Sequence, residues 1–415
     1  MTISVFTPSH NPKWLDEVYE SLKGQTNPDW EWVVLLNSKA EWDAPDDSRV
    51  RVAHAKPDVK GVGALKKRAV ALCNGDIFLE LDHDDLLLPT ALDEVGKAFR
   101  ENPDVGFVYS DFTQINEDGT PNYSRFDENY GWSYYADNQY QVVASKSPHP
   151  HHVAYIWYAP NHLRAFRREA YEAVGGYNHT FVVLDDQDLM CRLYMVTRFH
   201  HIPKNLYKQR VHAGQTQAQS DINPAIQSGT QELYERYISD LMVKWSRDNG
   251  LMALDLGGAH NPAVGYQTVD LNEPADIVGD VFETLASLPD NSVGVLRACD
   301  FLEHLDPMRK VEIWNEMYRV LASGGMILSM TPSATGVGAF QDPTHISFYV
   351  EQSHWYWTDA NYRRFVPAIT AKFQVSRLRT YFPSEWHQQY NISYVQANLI
   401  ALKEESERFG GILSV

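Results

Sequence analysis

The chain predicts an α/β protein made of two successive units, and three observations carry that prediction. Over roughly the first 245 residues short apolar runs alternate with amphipathic helical stretches; a polar stop, Arg247-Asp248-Asn249-Gly250, interrupts the pattern; then the alternation restarts. The length agrees, since 415 residues suit two or three domains at roughly 100–200 residues each. We place the units at 1–245 and 251–415.

In the first unit Ile3–Phe6, Trp32–Leu36, Arg49–Ala53, Ile77–Leu81 and Gly106–Tyr109 read as strands. Trp14–Leu22, Ala64–Leu72 and Thr90–Phe99 read as helices, a βαβ rhythm that implies a mostly parallel sheet. From Asn116 to His152 the rhythm fails. Runs such as Tyr130-Gly131-Trp132-Ser133-Tyr134-Tyr135 predict a long loop region able to line a binding surface. Ala225–Trp245 is helix-like and leads to the polar stop. Beyond it, Ala253–Leu256, Tyr266–Val269, Val293–Ala298, Met326–Met330 and Gln396–Leu402 read as strands. Pro307–Leu321 reads as a helix ended by Ser323-Gly324-Gly325.

Composition narrows the class. With 44% hydrophobic and 22% charged residues the chain buries full cores and is not disordered. No run approaches the roughly 18–20 apolar residues needed to span a bilayer, and MTISVFTPSH lacks both a basic leader and an apolar signal core. The expectation is a soluble, cytoplasmic protein. Cys73, Cys191 and Cys299 are odd in number and far apart, which fits neither a disulfide framework nor a zinc cluster. The net charge is −18, with 25 basic and 35 acidic side chains up to residue 249 and 11 and 19 after it. Acidity spread this evenly disfavours nucleic acid as a partner.

The strongest chemical signal is Ile77-Phe78-Leu79-Glu80-Leu81-Asp82-His83-Asp84-Asp85. An apolar strand ending in three carboxylates gathers like charges at the edge of a sheet where α/β proteins bind ligands. A divalent cation relieves that repulsion, and hard oxygen donors suit Mg²⁺ or Mn²⁺ shared with substrate phosphates. The bland alternative is that the acids cap the helix starting near Pro89-Thr90. Upstream, Gly61-Val62-Gly63 opens a helix whose apolar face is Leu65, Ala69 and Leu72. Lys66, Lys67 and Arg68 then lie elsewhere, suited to a diphosphate or to plain solvent. For His149-Pro150-His151-His152, acceptor contact or solvation is preferred over metal binding.

These segments carry a resemblance. Phe6-Thr7-Pro8-Ser9-His10-Asn11, Gly63 to Arg68, Cys73-Asn74-Gly75-Asp76 and Leu81-Asp82-His83-Asp84-Asp85 are similar to successive motifs of family 2 glycosyltransferases of the GT-A fold. Phe166-Arg167-Arg168-Glu169, Val174-Gly175-Gly176-Tyr177, Leu184-Asp185-Asp186-Gln187-Asp188-Leu189 and Leu206 to His212 continue the series in the family's order. The resemblance implies inverting transfer of a sugar from a nucleotide-diphosphate donor. It assigns Asp82 to the donor ribose, Asp84 and His212 to the metal, and Asp186, beside Asp185, to general-base catalysis. Thr7, Pro8, Asn37, Gly63, Arg68 and His83 complete the donor-binding candidates. Asn37-Ser38 stands where the family usually has an acidic pair, and an amide both donates and accepts, so the nucleotide base stays open.

In the second unit Leu254-Asp255-Leu256-Gly257-Gly258-Ala259-His260 puts glycines directly after a strand, where a ligand can approach the backbone, and Asp270 closes the next strand where ribose hydroxyls are held. With Asp280-Val281-Phe282, Leu288 to Ser292, Phe301-Leu302-Glu303-His304-Leu305, Tyr318 to Gly325 and Asp342-Pro343-Thr344-His345, the stretch resembles class I S-adenosylmethionine-dependent methyltransferases of Rossmann-like fold. The resemblance implies Asp255, Gly257, Asp270 and Asp280 around S-adenosylmethionine, Glu303 and His304 near the methyl-transfer face, and His345 on the acceptor side. Two features depart from the family: a short glycine loop, and Gly294 in place of a usual acid.

The expected protein is therefore a metal-dependent inverting glycosyltransferase that moves a sugar onto a glycan or glycoconjugate hydroxyl, joined to a domain that methylates the product. The alternatives are a second domain that only stabilises or oligomerises, a carbohydrate-binding scaffold, and a nucleotide-sugar hydrolase.

Overall fold

The computed structural model of the chain describes residues 1–57, 59, 61–126, 131–156, 159–214, 222–404 and 408–410. Its internal contacts separate two compact units, Met1–Glu128 with Trp132–Tyr237, and Ile238–Val415 with Asn129–Gly131. Tyr130, named above in the aromatic run, lies outside the described residues. Among the described residues no helix is long and apolar enough to cross a membrane, and all three cysteines are free.

The first unit begins β1 (Ile3–Ser9), α1 (Leu15–Lys23), β2 (Trp30–Leu36), β3 (Val50–His54), α2 (Val62–Val70) and β4 (Ile77–Glu80). The predicted strands and helices of this stretch all form, with ends moved by a few residues. β3, β2, β1 and β4 lie side by side and parallel. Next come β5 (Leu86–Leu87), α3 (Ala91–Glu101), β6 (Val105–Asn116), β7 (Pro121–Asn122), β8 (Ser133–Asp137), β9 (Tyr140–Ala144) and α4 (Pro150–Tyr155). The unit's remaining elements are β10 (Arg164–Arg167), α5 (Arg168–Ala173), α6 (Asp185–Val196) and β11 (Arg198–Val211). Antiparallel β10 sits between β4 and β6, and β11 runs parallel to β6, so the sheet is mixed.

Two expectations fail here for identifiable reasons. The supposed loop from Asn116 to His152 contains the β8–β9 hairpin, which joins the sheet through β6. β6 itself is almost wholly buried although it carries Ser110, Asp111, Thr113 and Gln114. Partners distant in sequence satisfy those polar groups: Asp111 accepts from the Ser145 amide at 2.8 Å and lies 2.7 Å from His201 Nε2. The histidines at 149, 151 and 152 are buried, not solvated, within and at the start of α4. His152 contacts the Ser147 carbonyl at 2.8 Å, and burial drives its pKa well down.

α7 (Asn223–Asp248) crosses the boundary between the units, its Ile226 and Leu233 packing with Leu184 in the first. The second unit follows with β12 (Met252–Leu256), β13 (Gln267–Asp270), β14 (Ile277–Val278), α8 (Val281–Ser287), β15 (Val293–Cys299), α9 (Lys310–Val320) and β16 (Leu321–Pro332). α9 passes straight into β16, so Ser323-Gly324-Gly325 lies inside the strand assignment, where Gly324 takes the left-handed φ of +79°. Short helices α10 (Gly338–Gln341), α11 (Trp355–Thr358) and α12 (Ala360–Arg363) precede β17 (Phe373–Tyr381), α13 (Glu385–Gln389) and β18 (Tyr394–Ala401).

The seven strands run β14-β13-β12-β15-β16-β18-β17, parallel except for β18. The strand order reverses between β12 and β15, which opens a crevice at their carboxyl ends. Trp314 stacks on Trp357 with centroids 5.2 Å apart within the unit's apolar core. Gly294, the departure noted above, has a local cause: a Cβ there would collide with Ser246.

Candidate active site

In the first unit, the carboxyl ends of β1 and β4, the start of α6 and the residues after β11 enclose a cavity of about 1000 Å³. That is the upper end of the range for small-ligand pockets, roughly 300–1000 Å³. Pro8, Asn37, Asp82, His83, Asp84, Asp185, Asp186 and His212 all line it. The sequence-predicted acids, spread over more than 100 positions, therefore share one space.

β4 delivers the acids because Ile77, Phe78 and Leu79 are fully buried in the sheet and the chain turns out only after Glu80. None of the three aspartates caps α3: the residue before that helix is Thr90, with no side-chain cap. Asp85 is buried and accepts the Arg210 amide at 2.7 Å. Burial, then repulsion from Asp84 and Asp82, pushes its carboxyl well up, so it serves the strand junction more than a ligand. Asp82 is two-fifths exposed and Asp84 lies 2.8 Å from His212 Nε2. The Gly214 amide donates to His212 Nδ1 at 3.1 Å. Nδ1 therefore carries a lone pair, and the imidazole proton sits on Nε2, donated to Asp84. Trp14 packs against that ring at 4.8 Å.

Across the cavity, α6 starts from Leu184 at φ +64°, a strained left-handed conformation for a branched residue. It turns Asp185 and Asp186 into the first helical turn, where the helix dipole favours anions. Asp186 is not the N-cap. Its Oδ2 accepts from Arg164 Nη1 at 2.6 Å and its Oδ1 from the Gln187 amide at 2.8 Å. Burial raises this carboxyl, but Arg164 and Lys66 outweigh it and hold Asp186 below the ordinary aspartate range. Asp185 is more deeply buried, 3.2 Å from Lys66 Nζ, and burial takes it up to about 6 against the pull of that ammonium.

Lys66 also lies 2.5 Å from Glu80 Oε1, and Tyr177 donates to Glu80 Oε2 at 3.2 Å. Glu80 faces Arg164 directly across the β4–β10 ladder. His162, 3.7 Å from Glu80 and 3.9 Å from Asp82, completes the group. Glu80, His162 and Arg164 had no place among the predicted site residues, and Lys66 was expected only as a cation for a diphosphate or for solvent, not as a buried partner of acids. Their one readable sign is a charge inside an apolar run, as in Leu163-Arg164-Ala165-Phe166, which marks a buried ion with a distant partner.

Three predicted donor residues do not line the cavity. Thr7 is fully buried, donating to the Leu81 carbonyl at 2.7 Å and accepting from Trp32 Nε1 at 2.9 Å; it staples strands together. Gly63 lets α2 press on α6, since a Cβ there would meet the Asn178 carbonyl and Asp185 Cβ. Arg68 is exposed. The buried face of α2 is Gly63, Lys66, Ala69 and Val70, so the lysine that reaches the cavity is Lys66.

In the second unit Asp255 is buried and held by Arg297 Nη1, 2.9 Å from each carboxylate oxygen. Gly257 has φ +76°, and the space a Cβ would take is filled by the Phe301 ring. Asp270 ends β13 and accepts from the Asn272 amide at 3.0 Å. Asp280 is the N-cap of α8, accepting from the Glu283 amide at 3.1 Å. Glu303, His304 and His345 converge: one ligand atom from each falls within 4.8 Å of the others. Burial, then Asp300 and Asp342, pushes the Glu303 carboxyl up to about 8, despite an opposing backbone hydrogen bond.

Several known proteins are similar to this chain over about half of its length. An uncharacterized protein of Sinorhizobium fredii is 28% identical over 56% of this chain and 25% of its own length. Chondroitin synthase of Escherichia coli is 25% identical over 52% of this chain and 29% of its length. The O-antigen biosynthesis protein RfbC of Myxococcus xanthus is 28% identical over 50% of this chain and 16% of its length. The matched part thus spans less than a third of each of these relatives. Among solved structures, S. aureus TarS 1-349 in complex with UDP-GlcNAc aligns over 64% of this chain and 77% of that one, at 14% identity and a TM-score of 0.40. Residues 4–175 match the family profile described as Glycosyl transferase family 2.

Proposed function

We propose that the first unit is a metal-dependent inverting glycosyltransferase that moves a sugar from a nucleotide-diphosphate donor onto a glycan or glycoconjugate hydroxyl. One observation carries this reading: donor-side groups, Asp82, Asp84 and His212, and a base-side carboxylate, Asp186, open onto the same cavity. The names of relatives, a chondroitin synthase and an O-antigen biosynthesis protein, support a saccharide acceptor.

Displacement at the anomeric carbon requires the acceptor hydroxyl to lose its proton as it attacks. Asp186 takes that proton. Arg164 orients the carboxylate and keeps it ionised at neutral pH, at some cost in basicity. Asp185, tied to Lys66, keeps the first turn of α6 in place. Asp84 and His212 fit a hard divalent ion, with one oxygen and one nitrogen donor adjacent on the cavity wall. They would hold Mn²⁺ or Mg²⁺, which neutralises charge growing on the departing diphosphate.

A panel of nucleotide sugars with Mn²⁺, assayed for released nucleoside diphosphate with and without saccharide acceptors, tests the reading. Acceptor-dependent release supports it. Release that ignores acceptor points to a hydrolase, and no release with any donor contradicts it.

For the second unit we propose S-adenosylmethionine-dependent methylation of the same glycan. The reversal of strand order at β12/β15 beside Asp270 supports it. Asp255 and Asp280 are engaged by Arg297 and by the α8 cap, and this favours the alternative of a structural module. Calorimetry with S-adenosylmethionine separates them: heat that Asp270→Ala diminishes supports methylation, and no heat supports the structural role.

A further inference from the structure

We propose that Glu303, His304 and His345 form a binding site for a divalent transition-metal cation in the second unit. The Glu303 side chain is 2% exposed, and no other residue gives either of its oxygens a hydrogen bond; its own backbone amide is the one donor that acts on it. Burying a carboxylate that way is costly unless a cation or a proton meets it. Among the described residues other buried acids are met by a cation or a backbone amide, as Asp255 is by Arg297, Asp188 by Arg192 and Asp85 by the Arg210 amide.

The two imidazoles are oriented to supply what the carboxylate lacks. His345 Nδ1 lies 3.2 Å from the Ala339 carbonyl, which can only accept, so Nδ1 carries the proton and Nε2 a lone pair. That Nε2 is 3.9 Å from Glu303 Oε1, too far for a hydrogen bond. His304 Nδ1 lies 3.3 Å from the Thr344 carbonyl and 3.1 Å from Thr344 Oγ1. The Thr344 hydroxyl spends its own proton on Asp342 Oδ1 at 2.6 Å, so it too accepts from His304. Both rings thus aim a lone pair away from a carbonyl-anchored Nδ1–H, the way metal-bound histidines are fixed.

Metal–donor bonds of about 2.0–2.2 Å put neighbouring ligand atoms roughly 3–4 Å apart. The observed spread, all within 4.8 Å, needs only a small side-chain rotation to close. Two imidazoles and one carboxylate select a borderline ion such as Zn²⁺, Co²⁺ or Fe²⁺ over Mg²⁺ or Ca²⁺. Three protein ligands leave positions for water or an acceptor oxygen. His304 is exposed, so the ion has a path from solvent.

The test is a Co²⁺ titration of the chelator-treated full chain followed by visible absorption. It is run on the Asp84→Asn variant to weaken binding in the first unit's cavity, where Asp82, Asp85 and His162 also lie close enough to share an ion, so that the bands are assigned to the second unit by their loss in the histidine variants. The proposal expects one equivalent of Co²⁺ to bind with ligand-field bands. His304→Gln and His345→Gln should each weaken binding on the order of 100-fold or more and abolish the bands. Melting curves taken in chelator confirm that the variants fold, and His304, at an exposed position, carries the test if His345→Gln does not. Bands that persist in both histidine variants, or their absence from the parent, overturn the proposal.

Discussion

At the end of β4 the first unit packs Glu80, Asp185 and Asp186 against Lys66 and Arg164, and each acid has a cation within 3.2 Å. At the end of β15 the second unit buries Glu303 with no hydrogen bond from another residue, and deeper in its core it buries His354, 1% exposed with Nδ1 likewise unpartnered. Both strategies keep ionisable groups out of water, and they fail differently. Paired charges stay ionised and lock geometry, so removing one partner strands the other. Unpartnered groups are held neutral or wait for a ligand, so pH or that ligand controls them. The first unit's cavity is therefore preorganised as it stands.

The largest expected effect breaks the paired cluster. Lys66→Met leaves Glu80 and Asp185 facing each other in a buried site. Urea unfolding of the first unit should show a loss of about 3–5 kcal/mol, with sugar transfer abolished; a loss under about 1 kcal/mol would mean the cluster is not electrostatically closed.

Next in size is His354, whose ring stacks on Tyr349 and meets Trp314 edge-on. Burial, aided by Lys310, lowers its pKa from 6.5 to about 3. Between those values the unfolded chain binds a proton that the folded chain refuses, so stability rises with pH across that window. The contribution is complete above about pH 6.5 and is lost progressively as pH falls toward 3, by roughly 2 kcal/mol between pH 6.5 and 5. His354→Phe keeps the ring packing and should flatten the dependence of unfolding free energy between pH 5 and 7. An unchanged slope would place the acid sensitivity elsewhere.

The smallest effect belongs to Arg68→Ala. Because Arg68 is exposed and off the cavity, stability should stay within about 0.5 kcal/mol and the KM for donor should not move. A several-fold rise in KM would restore Arg68 to the donor site that its motif position suggested.

That contrast between Lys66 and Arg68 shows how far the sequence could be read. Apolar periodicity found β1, β2, β4 and β12 and helices α1 and α9, because local burial patterns fix them. The acids Asp82, Asp84 and Asp186 and the imidazole His212 were legible as residues, and the cavity brings them together. Their partners were not. Lys66 sits off the apolar stripe Leu65, Ala69, Leu72, and only the arrival of Glu80 and Asp185 from elsewhere makes its face the buried one. The same holds for the β8–β9 hairpin, which pairs with β6 through contacts far apart in sequence. The buried histidines of α4 were misread because a polar composition says nothing of who shields it.

In the proposed transfer Asp186 accepts the acceptor's proton inside a cavity that binds the donor independently. Asp186→Asn keeps the shape and the Arg164 contact but removes the base. Measured with a turnover-competent donor, Asp186→Asn should bind the nucleotide sugar within about two-fold of the parent and lose transfer by about 10²–10⁴-fold. Transfer at the parent rate with donor binding intact would contradict it.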